Sequence, residues 1–210
     1  MSGFRRLMSR ALRPREWCKW WQAKKFRPPE YFFERRFHLF ETAGEEKVRQ
    51  YGSDFLASFR KVDFWGPKTG GCFTVLAGTS KNESHHSIKL VKDGACLAEA
   101  KLGFGQGVVV IESLQGTQGL HKKLNEFRHN FRSPWANFLI QKVEEHARKC
   151  GFEWVAIRRP ETLFYYDKPV RTASEKEKEE IRARMRLLYN NAANAMGYRK
   201  AGYYFFVNRL

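Results

Sequence analysis

The sequence predicts an α/β fold, a mixed and mostly antiparallel central sheet with flanking helices. Three observations predict it. Residues 87–91 and 95–102 are apolar-rich stretches joined through Lys92, Asp93 and Gly94, and Asp-Gly between two such stretches signals a hairpin. The run 108–114 is β-branched and suits a central strand. Ser133-Pro134 then opens an amphipathic helix that leads to a further apolar stretch at 153–158, a strand–helix–strand unit whose two strands should run parallel.

In chain order, 31–40 alternates loosely and is rich in aromatics, as in a first strand. Residues 45–59 place Val48, Tyr51, Phe55 and Phe59 at helical spacing, interrupted by Gly52. Gly70-Gly71 precedes a short apolar strand at 72–77. Residues 103–107 read as a glycine-rich hairpin loop, because the segment lies between two strands and opens no helix, as a dinucleotide fingerprint would require. The segment 115–132, with Lys122, Lys123, Arg128 and Arg132, reads as a polar, basic loop.

In the next helix Ser133 is the expected N-cap and Pro134 the first helical residue. Trp135, Phe138, Leu139, Val143, Ala147 and Cys150 share a face, and Gly151 ends the helix. Residues 160–172, with Tyr165, Tyr166 and Pro169, read as an insertion or flexible loop. Ser174 and Glu177 form a capping box for a long helix whose stripe is Ile181, Met185, Leu188, Ala192 and Met196, ending at Gly197. The last strand is expected at 203–207. The chain thus divides into an extension, 1–30, and a domain, 31–210, with an insertion near 160–174.

Composition limits the function. A content of 42% hydrophobic and 15% aromatic residues in 210 supports a buried core. No stretch approaches the ~18 apolar residues of a membrane span, which excludes an integral membrane protein. Cys18, Cys72, Cys96 and Cys150 form no Cys-x-x-Cys pair, so neither a zinc ribbon nor a disulfide scaffold is supported, and they read as reduced thiols of a cytoplasmic compartment. The formal net charge is +17, of which +8 falls in residues 1–40.

That basic arm interleaves Lys19, Lys24 and Lys25 with Trp17, Trp20, Trp21 and Phe26, and Pro28-Pro29 interrupts any helix. Four readings stay open for it. It packs on the domain; it contacts RNA or a ribonucleoprotein through residues 1–27; it lies on an anionic membrane; or its Arg-rich, acid-free start is a mitochondrial presequence. A secretory signal is excluded by the absence of an apolar core segment.

The second half resembles the GNAT superfamily of N-acetyltransferases. The residues that carry the likeness are Val108-Val109-Val110-Ile111-Glu112-Ser113-Leu114, then Arg132-Ser133-Pro134-Trp135-Ala136-Asn137-Phe138-Leu139-Ile140, then the helix end and strand from Glu144 to Ile157. Leu188-Tyr189 and the run from Ala195 to Phe205 are similar to that family's last helix and strand. The likeness covers about residues 87–210, with a weaker fit from 31 onward. It implies two splayed strands holding acetyl-CoA between them, with the pyrophosphate on the helix that starts near Ser133. The implied cofactor-binding residues are Ser113, Leu114, Gln115, Arg132, Ser133, Trp135, Ala136, Asn137 and Asn190.

The same likeness implies an acetyl transfer to an amine, on a substrate of unidentified nature. Such chemistry needs a base for the amine and an acid for the departing thiolate; Glu112 and Tyr189 are the candidates. Read from position alone, Glu112 also fits an outward-facing strand carboxylate, and Tyr189 a core aromatic beside Leu188. The family's loop has Gly where this chain has Trp135 and Gly or Ala where it has Asn137, and Pro134 removes an amide donor. The family's frequent tyrosine falls at Ala193, one turn beyond Tyr189. The alternative is a catalytically inactive protein on the same scaffold that binds RNA or a ribonucleoprotein. His85 and His86 with Cys72 and Cys96 would ligate a metal only if folding gathered them, and no nucleophile-elbow context supports a hydrolase triad.

Overall fold

The computed structural model describes residues 45–78, 86–105, 107–163, 166, 174–201 and 205–210. The basic arm, the expected strand at 31–40, Cys18, His85 and most of the insertion lie outside the described residues.

Among the described residues, eight strands form one sheet in the order β1-β2-β3-β4-β5-β6-β8-β7. They are β1 (Val62–Trp65), β2 (Cys72–Gly78), β3 (His86–Lys92), β4 (Ala95–Gly105), β5 (Val108–Gly116), β6 (Trp154–Arg158), β7 (Arg199–Ala201) and β8 (Phe205–Arg209). Every neighbouring pair is antiparallel except β5 and β6, which are parallel, as the strand–helix–strand reading requires. The described helices are α1 (Glu45–Ser58), α2 (His121–Phe131), α3 (Trp135–Lys149) and α4 (Glu175–Ala195).

Local chemistry accounts for the joints. Asp93 and Gly94 both take positive φ, 51° and 72°, the pair a two-residue hairpin with the right twist needs. Two helices end on a glycine with the same pair of closing bonds. After α3, Phe152 N–H donates to Ala147 O (3.0 Å) and Gly151 N–H to Arg148 O (3.2 Å); after α4, Tyr198 N–H donates to Ala193 O (2.9 Å) and Gly197 N–H to Asn194 O (3.2 Å). Ser174 and Glu177 form the reciprocal capping box at the start of α4.

Three sequence expectations are corrected. The segment 115–132 is not a loop. It holds the end of β5 and then α2, whose Leu124 and Phe127 are buried, with Leu120 and Phe131 partly buried, one apolar stripe at helical spacing. Ser133 does not cap α3. Pro134 occupies the N-cap with φ −57° and ψ 139°, Trp135 is the first helical residue, and the Ser133 hydroxyl donates to Pro134 O (3.3 Å). Cys150 does not share the buried face of α3; it lies exposed just past the helix end. Strands β1 and β7, four and three residues long, carry no alternation and were not expected.

The core lies between the sheet and the helices. Phe73, Phe127, Phe131 and Phe138 pack with centroids 4.7–6.1 Å apart, and Phe64 of β1 joins them at 5.1 Å from Phe138. Gly52 interrupts α1 where the His86 ring lies against it: a Cβ there would sit 2.5 Å from that ring. His86 in turn meets the Phe104 edge at 5.4 Å, so it is a packing residue. On the opposite sheet face a smaller cluster gathers Val108, Val110, Ala156, Ala201, Phe205 and Val207.

Candidate functional site

Strands β5 and β6 pair over only four positions, Val108 with Trp154 through Ile111 with Ile157. β5 continues for five more residues, to Gly116, without β6 beside it. The cause is in the other edge of β5. Lys101 of β4 is opposite Ser113, yet Leu102 is opposite Ile111, so Glu112 is an extra residue, a β-bulge that bends the strand. The parallel pair ends at the bulge, and a gap opens beyond it.

Side chains bridge this gap. Arg158, the last residue of β6, donates from Nη1 to Glu112 Oε2 (3.2 Å) and from Nη2 to Thr162 O (2.6 Å). The Glu112 side chain is 8% exposed, so the carboxylate is buried rather than open to solvent. Farther along, the N–H of Leu114 donates to the hydroxyl of Tyr189 at 2.7 Å. Tyr189 reaches it from α4, 2% exposed and inside the main core. Glu112 and Tyr189 therefore meet the same strand two residues apart. Arg158 follows the core residue Ile157 on β6, so by alternation the Glu112–Arg158 pair lies on the sheet face away from the core, and Tyr189 lies on the core face.

The other predicted residues divide into two groups. Ser113, Leu114 and Gln115 line the free part of β5. Ser113 is 2% exposed, and among the described residues its buried hydroxyl has no hydrogen-bond partner. Its cross-strand neighbours are Lys101, then Ser87, both buried; this polar row runs across the sheet. The second group sits at the start of α3. Trp135 brings the helix to the strand end: a Cβ on Gly116 would lie 3.6 Å from the indole. Ala136 is buried in the core, Asn137 is half-buried, and the N-cap residue Pro134 makes no side-chain cap bond. Arg132 is exposed and closes α2 in a left-handed conformation, φ 52°. Asn190 is half-buried beside Tyr189.

Sequence reading missed a second constellation. A cavity of about 380 Å³ lies between the end of α1 and α3, lined by Ser58, Arg60, His146, Lys149 and Cys150 among others. Ser58 Oγ is 3.1 Å from His146 Nε2 and 3.4 Å from Cys150 Sγ. The arrangement looks like a nucleophile with its base, but Nε2 also lies 2.8 Å from Phe55 O. A carbonyl only accepts, so Nε2 carries the proton and takes none from Cys150 or Ser58. Burial holds the His146 pKa below its ordinary value, which keeps the ring neutral as a strut between α1 and α3.

Among the described residues no group of three or more His, Cys, Asp or Glu side chains is placed to hold a metal. No described helix is long and apolar enough to cross a membrane. Comparison of the chain with protein-family models, curated proteins and solved structures finds no match.

Proposed function

We propose that the protein is an acetyl-CoA-dependent N-acetyltransferase of the GNAT type, and that the gap between β5 and β6 is its cofactor cleft. The observation that carries this reading is the parallel pair parted by a bulge at Glu112. Such a gap leaves strand amides and carbonyls without a neighbouring strand, and an amide-rich pantetheine arm supplies what they lack. The orphaned hydroxyl of Ser113 and the first turn of α3, which Pro134 does not cap, fit the same ligand. Ser113, Leu114 and Gln115 would hold the arm, with Asn190 beside them. Arg132 and the α3 start, from Ser133 through Trp135 and Ala136 to Asn137, would face the phosphates.

The bound cofactor supplies an acetyl group activated as a thioester. As a C–N bond replaced the thioester C–S bond, Glu112 would take the proton of the acceptor amine, and the Tyr189 hydroxyl, held at the strand edge by Leu114, would give one to the leaving thiolate.

The nonenzymatic reading, a scaffold that binds RNA or a ribonucleoprotein, draws support from the side chains that already fill the gap: Arg158 on Glu112, Tyr189 on the Leu114 amide, and Trp135 against Gly116. Calorimetry with acetyl-CoA separates the two. Saturable binding at or below about 1 mM supports the cleft; its absence in folded protein removes the enzyme reading.

A further inference from the structure

Helix α2 has two unlike faces. Leu120, Leu124, Phe127 and Phe131 turn into the core. On the other side His121, Lys122, Asn125, Arg128, His129 and Arg132 follow the spacing i, i+1, i+4, i+7, i+8 and i+11, and they line the outer face of the helix. The stripe contains no acid. The single acid of α2, Glu126, is turned aside to Lys92 and Thr69, and Lys123 is paired with Asp93 at 3.2 Å. No described carboxylate pairs with Lys122, Arg128 or Arg132. On α4, by contrast, Lys178, Arg182, Arg184 and Arg186 each meet a glutamate.

We propose that this stripe is a contact surface for the phosphate backbone of a nucleic acid. Three permanent cations set along about 15 Å of one helix face, with no acid among them, suit a linear polyanion. A membrane surface is the poorer fit, because the apolar face of α2 is consumed in the core and nothing is left to enter the bilayer. Backbone contacts of this kind position a strand without reading its sequence. The surface is formed by residues 121–132 of the described domain and does not depend on the acetyl-CoA reading.

The test is the salt dependence of binding to a short fluorescent RNA, measured with the full chain between about 50 and 200 mM salt. The K122Q/R128Q variant should lower the slope of log K against log salt by about 1.4, roughly 0.7 for each phosphate left unneutralised on a single strand. Both side chains lie on the outer face of α2, so thermal melting should match the parent. The R199Q/K200Q variant, which removes two exposed cations from β7, should leave the slope unchanged. The proposal is overturned if the parent binds no RNA, if K122Q/R128Q keeps the parent slope, or if both variants lose slope equally. It is also overturned if polyglutamate displaces the RNA as well as unlabelled RNA does, or if anionic vesicles alone capture the parent and not K122Q/R128Q.

Discussion

The two ends of β5 hold their neighbours by different means. From Val108 to Ile111 the strand is paired on both edges and buried on both faces, and its side chains are Val and Ile throughout. From Glu112 to Gly116 one edge has no strand, and Arg158 and Tyr189 supply side-chain atoms where a backbone neighbour would have stood. Elsewhere the core packs aromatically, with Phe127 of α2 on Phe73 and Phe138 of α3 on Phe127. The difference teaches that a single inserted residue is enough to end a sheet pairing, and that the polar groups it strands must then be met by side chains or by a ligand.

The largest effect should come from breaking the packed side. Phe127 is fully buried against three other phenylalanines, and Phe127→Ala should cost about 3–5 kcal/mol in urea denaturation. At the gap the balance is electrostatic. Arg158→Met leaves Glu112 buried beside the bulge without its guanidinium and should cost about 3 kcal/mol, whereas the double variant R158M/E112L should recover most of that stability. If the single and double variants are equally unstable, the pair is not what holds the gap closed.

A smaller, pH-dependent effect belongs to His146. Its folded pKa lies below the ordinary value because burial disfavours the charged ring, so the unfolded chain takes up the proton first. Stability is fully present above pH ~6.5 and falls as the pH drops from there toward the depressed folded value. His146→Gln, which keeps a donor for Phe55 O, should flatten that stretch of the melting-temperature profile.

What could be read from the chain was whatever local chemistry decides. Asp93-Gly94 dictates its hairpin, Ser174 and Glu177 their cap, and Gly151 and Gly197 their helix ends, each through bonds within a few residues. Helix α2 was hidden because His121, Lys122, Lys123 and Arg128 stand between Leu120, Leu124, Phe127 and Phe131, and its N-cap Leu120 offers no side-chain signal. At the site, Glu112 and Tyr189 could be named as candidates, but not the bulge that joins them. It exists only in the register of β4 against β5, and the sequence of one strand does not contain it.

The central claim is that the gap past Glu112 receives acetyl-CoA. The most direct measurement is a titration of nitrogen-15-labelled protein with acetyl-CoA, followed at the backbone amides of β5. The Leu114 amide, now bonded to Tyr189, should shift most, together with Ser113, Gln115 and the first turn of α3, while Val109 and Val110 stay in place. Saturating cofactor that leaves Leu114 and its neighbours unmoved, or that shifts only residues remote from β5, would contradict the account.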